Sequence, residues 1–235
     1  MKLFEEIIDT LPDFPIEDVR VGAFWSVVKS KNCGLSLTFQ EPYRMFVRFS
    51  GELIGKSAKE IAKQFSSSWN PTEAAIGVAL INSLINPDGK EMNALDYIAE
   101  ISEGKTVVFV GHFPRMDKIR EKAKSLIIIE KKMQIGDYPP ESAEFIIPQS
   151  DITVITGSTF TNKSYKRLLE LSEKSYTILI GPSVIMSDVL FDYGVDVLAG
   201  SKIVNCDAVL KSVSQGGHLR DFSKFLKYVI KFRKR

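Results

Sequence analysis

The stretch VITGSTFTNKSYKRLLEL, residues 154–171, changes character in its middle. It opens as a buried strand and breaks at Gly157. It then offers Ser158, Thr159, Thr161 and Asn162 in quick succession before continuing as an amphipathic helix. A strand that passes through glycine and small hydroxyls into a helix is the connection of a parallel α/β sheet. Backbone N–H groups and hydroxyls at such a junction can donate to an anion. One or two of these side chains serve as N-caps, and ligand contact accounts for the excess.

The same pattern recurs along the second half of the chain. From Lys105 onward the apolar runs are TVVFVG, SLIIIEK, DITVITG, YTILIG and VDVLAG, each followed by a helical or loop segment. None alternates with polar residues, so the strands are expected to be buried on both faces of a covered parallel sheet. Four runs read as ending in glycine followed by a small, polar or ring-bearing residue: VGHF (110–113), TGST (156–159), IGPS (180–183) and AGSK (199–202). Ligands of open parallel sheets bind outside the carboxyl ends of the strands, which places a polar site there.

The first half reads differently. Phe4, Ile7, Ile8 and Leu11 form one helical stripe that Pro12 and Pro15 stop. VRVGAFWSVV and GLSLTF, separated by KSKNC, read as a hairpin, and YRMFVRFSG (43–51) reads as a third strand. Ser57 caps a helix over SAKEIAKQF, with Glu60 in the capping-box position. Asn70 and Pro71 start PTEAAIGVALINSLI, whose Ala75, Gly77 and Ala79 permit close approach of another backbone. The turn-rich NPDGKEMNAL then joins an α+β domain over 1–95 to a parallel-sheet domain over 96–235.

Composition sets the outer limits. The 235 residues carry 31 basic and 29 acidic side chains, a net charge of +2, which gives no reason to expect nucleic acid. No run approaches a membrane span, and MKLFEEIIDTL lacks the apolar core of a signal peptide. Cys33 and Cys206 are far apart in sequence and form no CxxC cluster. That argues against a disulfide framework or a cysteine zinc site, and for a reduced, cytoplasmic, soluble chain.

Two nucleotide motifs fail on spacing. GELIGKSAKEIA (51–62) leaves only three residues between Gly51 and Gly55, one short of a phosphate-binding loop, and reads as a turn plus helix cap. After the first parallel strand, GHFPRM lacks the GxGxxG of a dinucleotide site. Glu130 stands at the end of the second strand, where an acidic residue can read a ribose, so a nucleoside-bearing ligand such as S-adenosylmethionine stays open. His112 can ligate a metal, act as a base or donate to an anion. Asn82 is the polar residue on an otherwise apolar helix, and the basic KFLKYVIKFRKR reads as a helix or an edge strand.

GHFP (111–114), Glu130, SDITVITGSTFTN (150–162), LLEL (168–171), LIGPS (179–183), FDYGVDVLAGS (191–201) and SQGG (214–217) together resemble the putative heavy-metal chelation family, a domain of unknown function with a Rossmann-like fold. GELIGKSAKEIA and AAIGVALINSL (74–84) resemble its usual N-terminal companion, which is similar to the N-terminal domain of enolase. The resemblance implies an α/β fold with a ligand cleft between the two domains, and a role in binding or chelating a heavy metal or metal–chelator complex. The site residues expected are His112 and Glu130 as ionisable or metal contacts, with Thr156, Gly157, Ser158, Thr159, Asn162, Gly181, Pro182, Ser183 and Asn82 around the ligand. A transition metal is the cofactor class left open, as is a homo-oligomer. The competing expectation is a transferase or lyase acting on a small anionic or nucleoside-containing substrate, with His112 as acid/base.

Overall fold

The computed structural model describes residues 2–39 and 46–234. Helix α1 (Lys2–Asp9) buries Leu3, Phe4, Ile7 and Ile8 along the expected stripe. Strands β1 (Asp18–Val21), β2 (Trp25–Lys29) and β3 (Cys33–Leu37) form an antiparallel sheet in that order. The run VRVGAFWSVV is therefore two strands, folded back at Gly22–Phe24. Gly22 is required there, because a Cβ would sit 2.4 Å from the Val213 carbonyl oxygen.

The expected third strand over 43–51 is not a strand where it can be described. Residues 43–45 lie outside the described residues, and 46–51 form loop and turn. The backbone groups a ladder would need are taken by side chains. The Arg48 N–H donates to Glu73 Oε1 at 2.9 Å, and the Phe46 carbonyl accepts from Asn70 Nδ2 at 2.9 Å.

Helices α2 (Ala58–Ser66) and α3 (Pro71–Leu84) follow, capped by Ser57 and Asn70 as their sequences predict. The small residues of α3 do admit close neighbours. A Cβ on Gly77 would meet Ser66 N at 2.2 Å, and one on Gly34 of β3 would meet the Ala79 carbonyl at 2.0 Å.

Strand β4 (Lys90–Glu91) and helix α4 (Ala94–Ile101) lead into the large sheet. The chain continues through β5 (Thr106–Val110), α5 (Asp117–Lys122), β6 (Ser125–Ile129), α6 (Ala143–Ile146) and β7 (Ile152–Thr156). Next come α7 (Thr159–Asn162), α8 (Tyr165–Leu171), β8 (Tyr176–Ile180), α9 (Val189–Asp192) and β9 (Val197–Ile203). Helices α10 (Cys206–Ser214) and α11 (Leu219–Phe222) precede β10 (Leu226–Phe232). The seven-stranded order is β4-β10-β9-β8-β7-β5-β6; β5 to β9 run parallel, and β10 is antiparallel to both of its neighbours.

Both faces of the parallel strands are buried, as their unbroken apolar runs require. Val108, Ile155, Leu179 and Leu198 point to one core, and Val107, Phe109, Val154, Ile178 and Val197 to the other. The first core runs without a break into the N-terminal helices. Phe4 of α1 lies 6.3 Å from the Phe160 ring and 5.4 Å from the Tyr165 ring, centroid to centroid.

Two further expectations are corrected. AGSK (199–202) is not a turn but part of β9, with Gly200 paired to Val229 of β10. A β-carbon there would lie 2.6 Å from Met186 Sδ, so close packing, not a turn, explains the glycine. Cys33 and Cys206 form a disulfide with 5.7 Å between their Cα atoms, joining β3 to the start of α10 across 173 residues of sequence. Distance along the chain was no guide to distance in space. Among the described residues, no helix is long and apolar enough to cross a membrane.

Candidate functional site at the carboxyl edge of the sheet

The order of the parallel strands marks where a candidate site would lie. From β5 the chain steps outward to β6, then returns across β5 to β7 on its other side. The strand order reverses between β5 and β7, and the candidate crevice is the point between their carboxyl ends, where open α/β sheets bind ligands. Gly111–His112 leaves β5 on one side of this crevice and Thr156–Gly157 leaves β7 on the other. They touch: a Cβ on Gly111 would lie 3.1 Å from Thr156 Cγ2, and Gly111 itself adopts φ +104°, which favours glycine.

His112 is held from two directions. Its backbone N–H donates to Glu130 Oε2 at 3.2 Å, and its ring Nε2 lies 2.6 Å from Asp137 Oδ2. The imidazole keeps 28% of its side-chain surface exposed, whereas the Asp137 side chain keeps 3%. Burial pushes the Asp137 carboxyl up, but the Gln134 N–H and the His112 ring outweigh it and hold the group below the usual carboxylate range. Glu130 also accepts from the Lys132 N–H at 3.0 Å, so it splints its own loop and the His112 loop together.

The hydroxyl-rich turn after β7 is bound largely to itself. Thr156 Oγ1 and Ser158 Oγ are 3.2 Å apart, and the Thr159 hydroxyl donates to the Thr156 carbonyl at 2.7 Å. Asn162 Oδ1 accepts from the N–H and the hydroxyl of Ser164, at 3.0 and 2.6 Å, and so shapes the kink between α7 and α8. Gly157 lets this turn meet the loop after β8, since a Cβ would fall 2.5 Å from Val184 N.

The loop after β8 carries Gly181, Pro182 and Ser183. Gly181 takes φ +117° and leaves room for the Phe113 ring, 4.0 Å from where a Cβ would be. Ser183 is 3% exposed; its hydroxyl accepts from the Leu37 N–H of β3 at 2.9 Å. Asn82 Nδ2 donates to the Leu35 carbonyl at 3.0 Å and approaches the Ser183 carbonyl at 3.5 Å. Ser36 and Thr161 exchange a hydroxyl bond of 3.0 Å. These contacts seat the small sheet on the large one.

Gly157 and Pro182 belong to the turns after β7 and β8, and the other nine sequence-derived residues fall into two groups. His112, Glu130, Thr156, Ser158 and Gly181 lie at the carboxyl ends of β5, β6, β7 and β8, where both Glu130 oxygens accept backbone N–H groups. The polar atoms of Thr159, Asn162, Ser183 and Asn82 are engaged in holding turns and layers. Asp137 was missed. It lies in KKMQIGDYPP, and no spacing marks it, because its relation to His112 exists only through the adjacency of β5 and β6. Lys131 Nζ lies 6.0 Å from the Phe39 ring, which brings the segment after β3 to the same edge.

Comparison with known proteins agrees with this architecture. Residues 4–85 match the family DUF4213 and residues 93–232 the family DUF364, both described as "Putative heavy-metal chelation". No curated protein matches. The crystal structure of a protein of unknown function from the DUF364 family of Desulfitobacterium hafniense is 27% identical, with a TM-score of 0.87 over 98% of each chain. Another of unknown function, from Pyrococcus horikoshii, is 19% identical with a TM-score of 0.85 over 98% of each chain, a likeness that speaks to the fold alone. The chain belongs to the DUF364 family, with the DUF4213 region ahead of it.

Proposed function

We propose that the chain binds a small metal-bearing ligand at the β5–β7 crevice, with His112 adding one bond to a metal that a small chelator already holds. The observation that carries this reading is the His112–Asp137 pair. Imidazoles that ligate metals typically donate their second ring N–H to a carboxylate, which fixes the tautomer and the ring plane. With Nε2 donating to Asp137, a neutral ring presents Nδ1 as a lone pair.

The rest of the ligand set would come from the chelator. Among the described residues, no group of three or more His, Cys, Asp or Glu is placed to hold an ion. Both cysteines are consumed in the disulfide. A metal that prefers soft or imidazole ligands would therefore bring its own, and the hydroxyls of Thr156 and Ser158 would meet the chelator's polar groups.

A second reading rests on the same pair. A carboxylate that orients a partly exposed imidazole also suits a general acid/base, in a transferase or lyase acting on a small anionic or nucleoside-containing substrate such as S-adenosylmethionine. Native mass spectrometry with elemental analysis separates the two. Purified chain is exposed to Ni²⁺ alone and to Ni²⁺–iminodiacetate. Retention of one chelate per chain, lost in His112→Ala and kept in His218→Ala, is the expected result. Equal retention by both variants would overturn the metal reading. A metal-free sample that carries an organic molecule would favour the enzyme.

A further inference from the structure

Lys163 does not belong to the crevice, and three of its features are unusual together. It is not glycine, yet it sits at φ +65°, in the left-handed region, at the kink between α7 and α8. Its ammonium has no carboxylate partner among the described residues, and Nζ donates to the Thr161 carbonyl at 3.0 Å. It also lines a groove of ≈ 1470 Å³ between α1, α8, Trp69 and the turn after α9. None of His112, Glu130, Asp137 or Thr156 lines that groove. The left-handed turn is the C-cap of α7, a place where glycine is the usual residue, so the chain places a lysine at the groove where a smaller residue would serve the cap.

Desolvation pushes the Lys163 ammonium down to about 8, with no other cause acting on it. The charged groups facing the groove explain what such an amine could meet. From α1 come Lys2, Glu6 and Asp9; from α8, Lys166 and Glu170, with Glu173 just after it; and from α9, Asp192. Carboxylates outnumber the lysines, so a free anion is a poor guest. Tyr165, Tyr193, Trp69, Leu3 and Leu169 give the walls an aromatic and apolar character. The guest that suits a partly desolvated amine among such walls is an uncharged aromatic carbonyl compound.

We propose that Lys163 is a nucleophilic amine that captures an aromatic aldehyde in this groove as an imine. The Nζ lone pair attacks the carbonyl carbon, the oxygen takes up protons and leaves as water, and a C=N bond replaces C=O with no change of oxidation state. Trp69, 75% exposed at the rim, supplies a face for the aromatic ring.

The test is reductive trapping of the full chain with benzaldehyde and cyanoborohydride, followed by peptide mapping. One adduct per chain is expected on Lys163, forming about tenfold faster than on Lys2 or Lys166, with a rate that levels off above about pH 8. Lys163→Met should lose it, while His112→Ala should not. Trp69→Ala, a change at an exposed residue, should slow trapping of benzaldehyde several-fold but not of propionaldehyde. Adducts spread evenly over the lysines, or a rate that keeps rising as for an exposed lysine, would overturn the proposal. So would equal labelling of Lys163→Met.

Discussion

His112 and Asp137 meet at 2.6 Å although 25 residues separate them, because each follows one of two adjacent parallel strands. The carboxylate is nearly buried and the imidazole is not, so the pair is a fixed support with one reachable end. That asymmetry makes a prediction that deletion of His112 alone cannot. Asp137→Asn keeps an oxygen for the Gln134 N–H but removes the charge behind the ring. Affinity for Ni²⁺–iminodiacetate should fall roughly 10–100-fold, measured by calorimetry, with a small drop in thermal midpoint from the lost carboxylate. An unaltered affinity would show that Asp137 serves only its loop.

Acid should loosen the chain through specific carboxylates. Glu73, 4% exposed at its side chain, is pushed up by burial but held lower overall by Arg48, Ser68 and the Arg48 N–H. A group depressed in the folded state contributes stability above its unfolded pKa, and loses it as pH falls through the folded value. Urea midpoints should therefore drop from about pH 5 downward. Glu73→Gln should cost about 3 kcal/mol at neutral pH, discounted for the half-exposed Arg48, and should flatten the acid limb. A variant whose midpoint stays parallel to wild type across that range would contradict the assignment.

Gly157→Ala should be costly for its size. A methyl group there lands 2.5 Å from Val184 N and 2.7 Å from the Ser183 carbonyl carbon, backbone atoms that cannot swing away. Overpacking of this kind costs about 1–3 kcal/mol and would shift both the β7 and β8 loops. Denaturant unfolding reads the first effect and chelate binding the second. Wild-type values for both would mean that the turn has slack.

The disulfide ties the small sheet to the C-terminal helices, with Cys206 heading α10 and Cys33 heading β3. Reduction, or the double change Cys33→Ser with Cys206→Ser, should lower stability by about 2–5 kcal/mol. The loss should appear in chemical denaturation under reducing and non-reducing conditions, and the His112 site, on other elements, should keep its affinity. Free thiols titrating in the unreduced folded chain would refute the pairing.

Local sequence carried much of the fold. Unbroken Val/Ile/Leu runs can be satisfied only by strands covered on both faces, so all five parallel strands fell where they were expected. The caps at Ser57 and Asn70 were equally legible, since a side-chain oxygen three residues from an orphan N–H acts within a few ångströms of chain. Where a local signal failed, a distant partner had intervened. FVRFSG has the composition of a strand, but Glu73 and Asn70 claim its backbone groups. AGSK looks like a turn until β10 pairs with it.

The crevice divides in the same way. Glycine after a strand marks the carboxyl edge, so Gly111, Gly157 and Gly181 could be read directly. Which hydroxyls face a ligand could not be read, because Ser183 finds Leu37 and Thr161 finds Ser36 only after the two sheets pack. Asp137 became a functional candidate through strand order, and Cys33 met Cys206 through the docking of α10. Periodicity and capping are short-range and written in the chain, whereas strand order and layer packing are long-range. The sequence by itself therefore determined the five parallel strands, the capped helices and the carboxyl edge of the sheet. Only the tertiary structure decided which side chains stand there together.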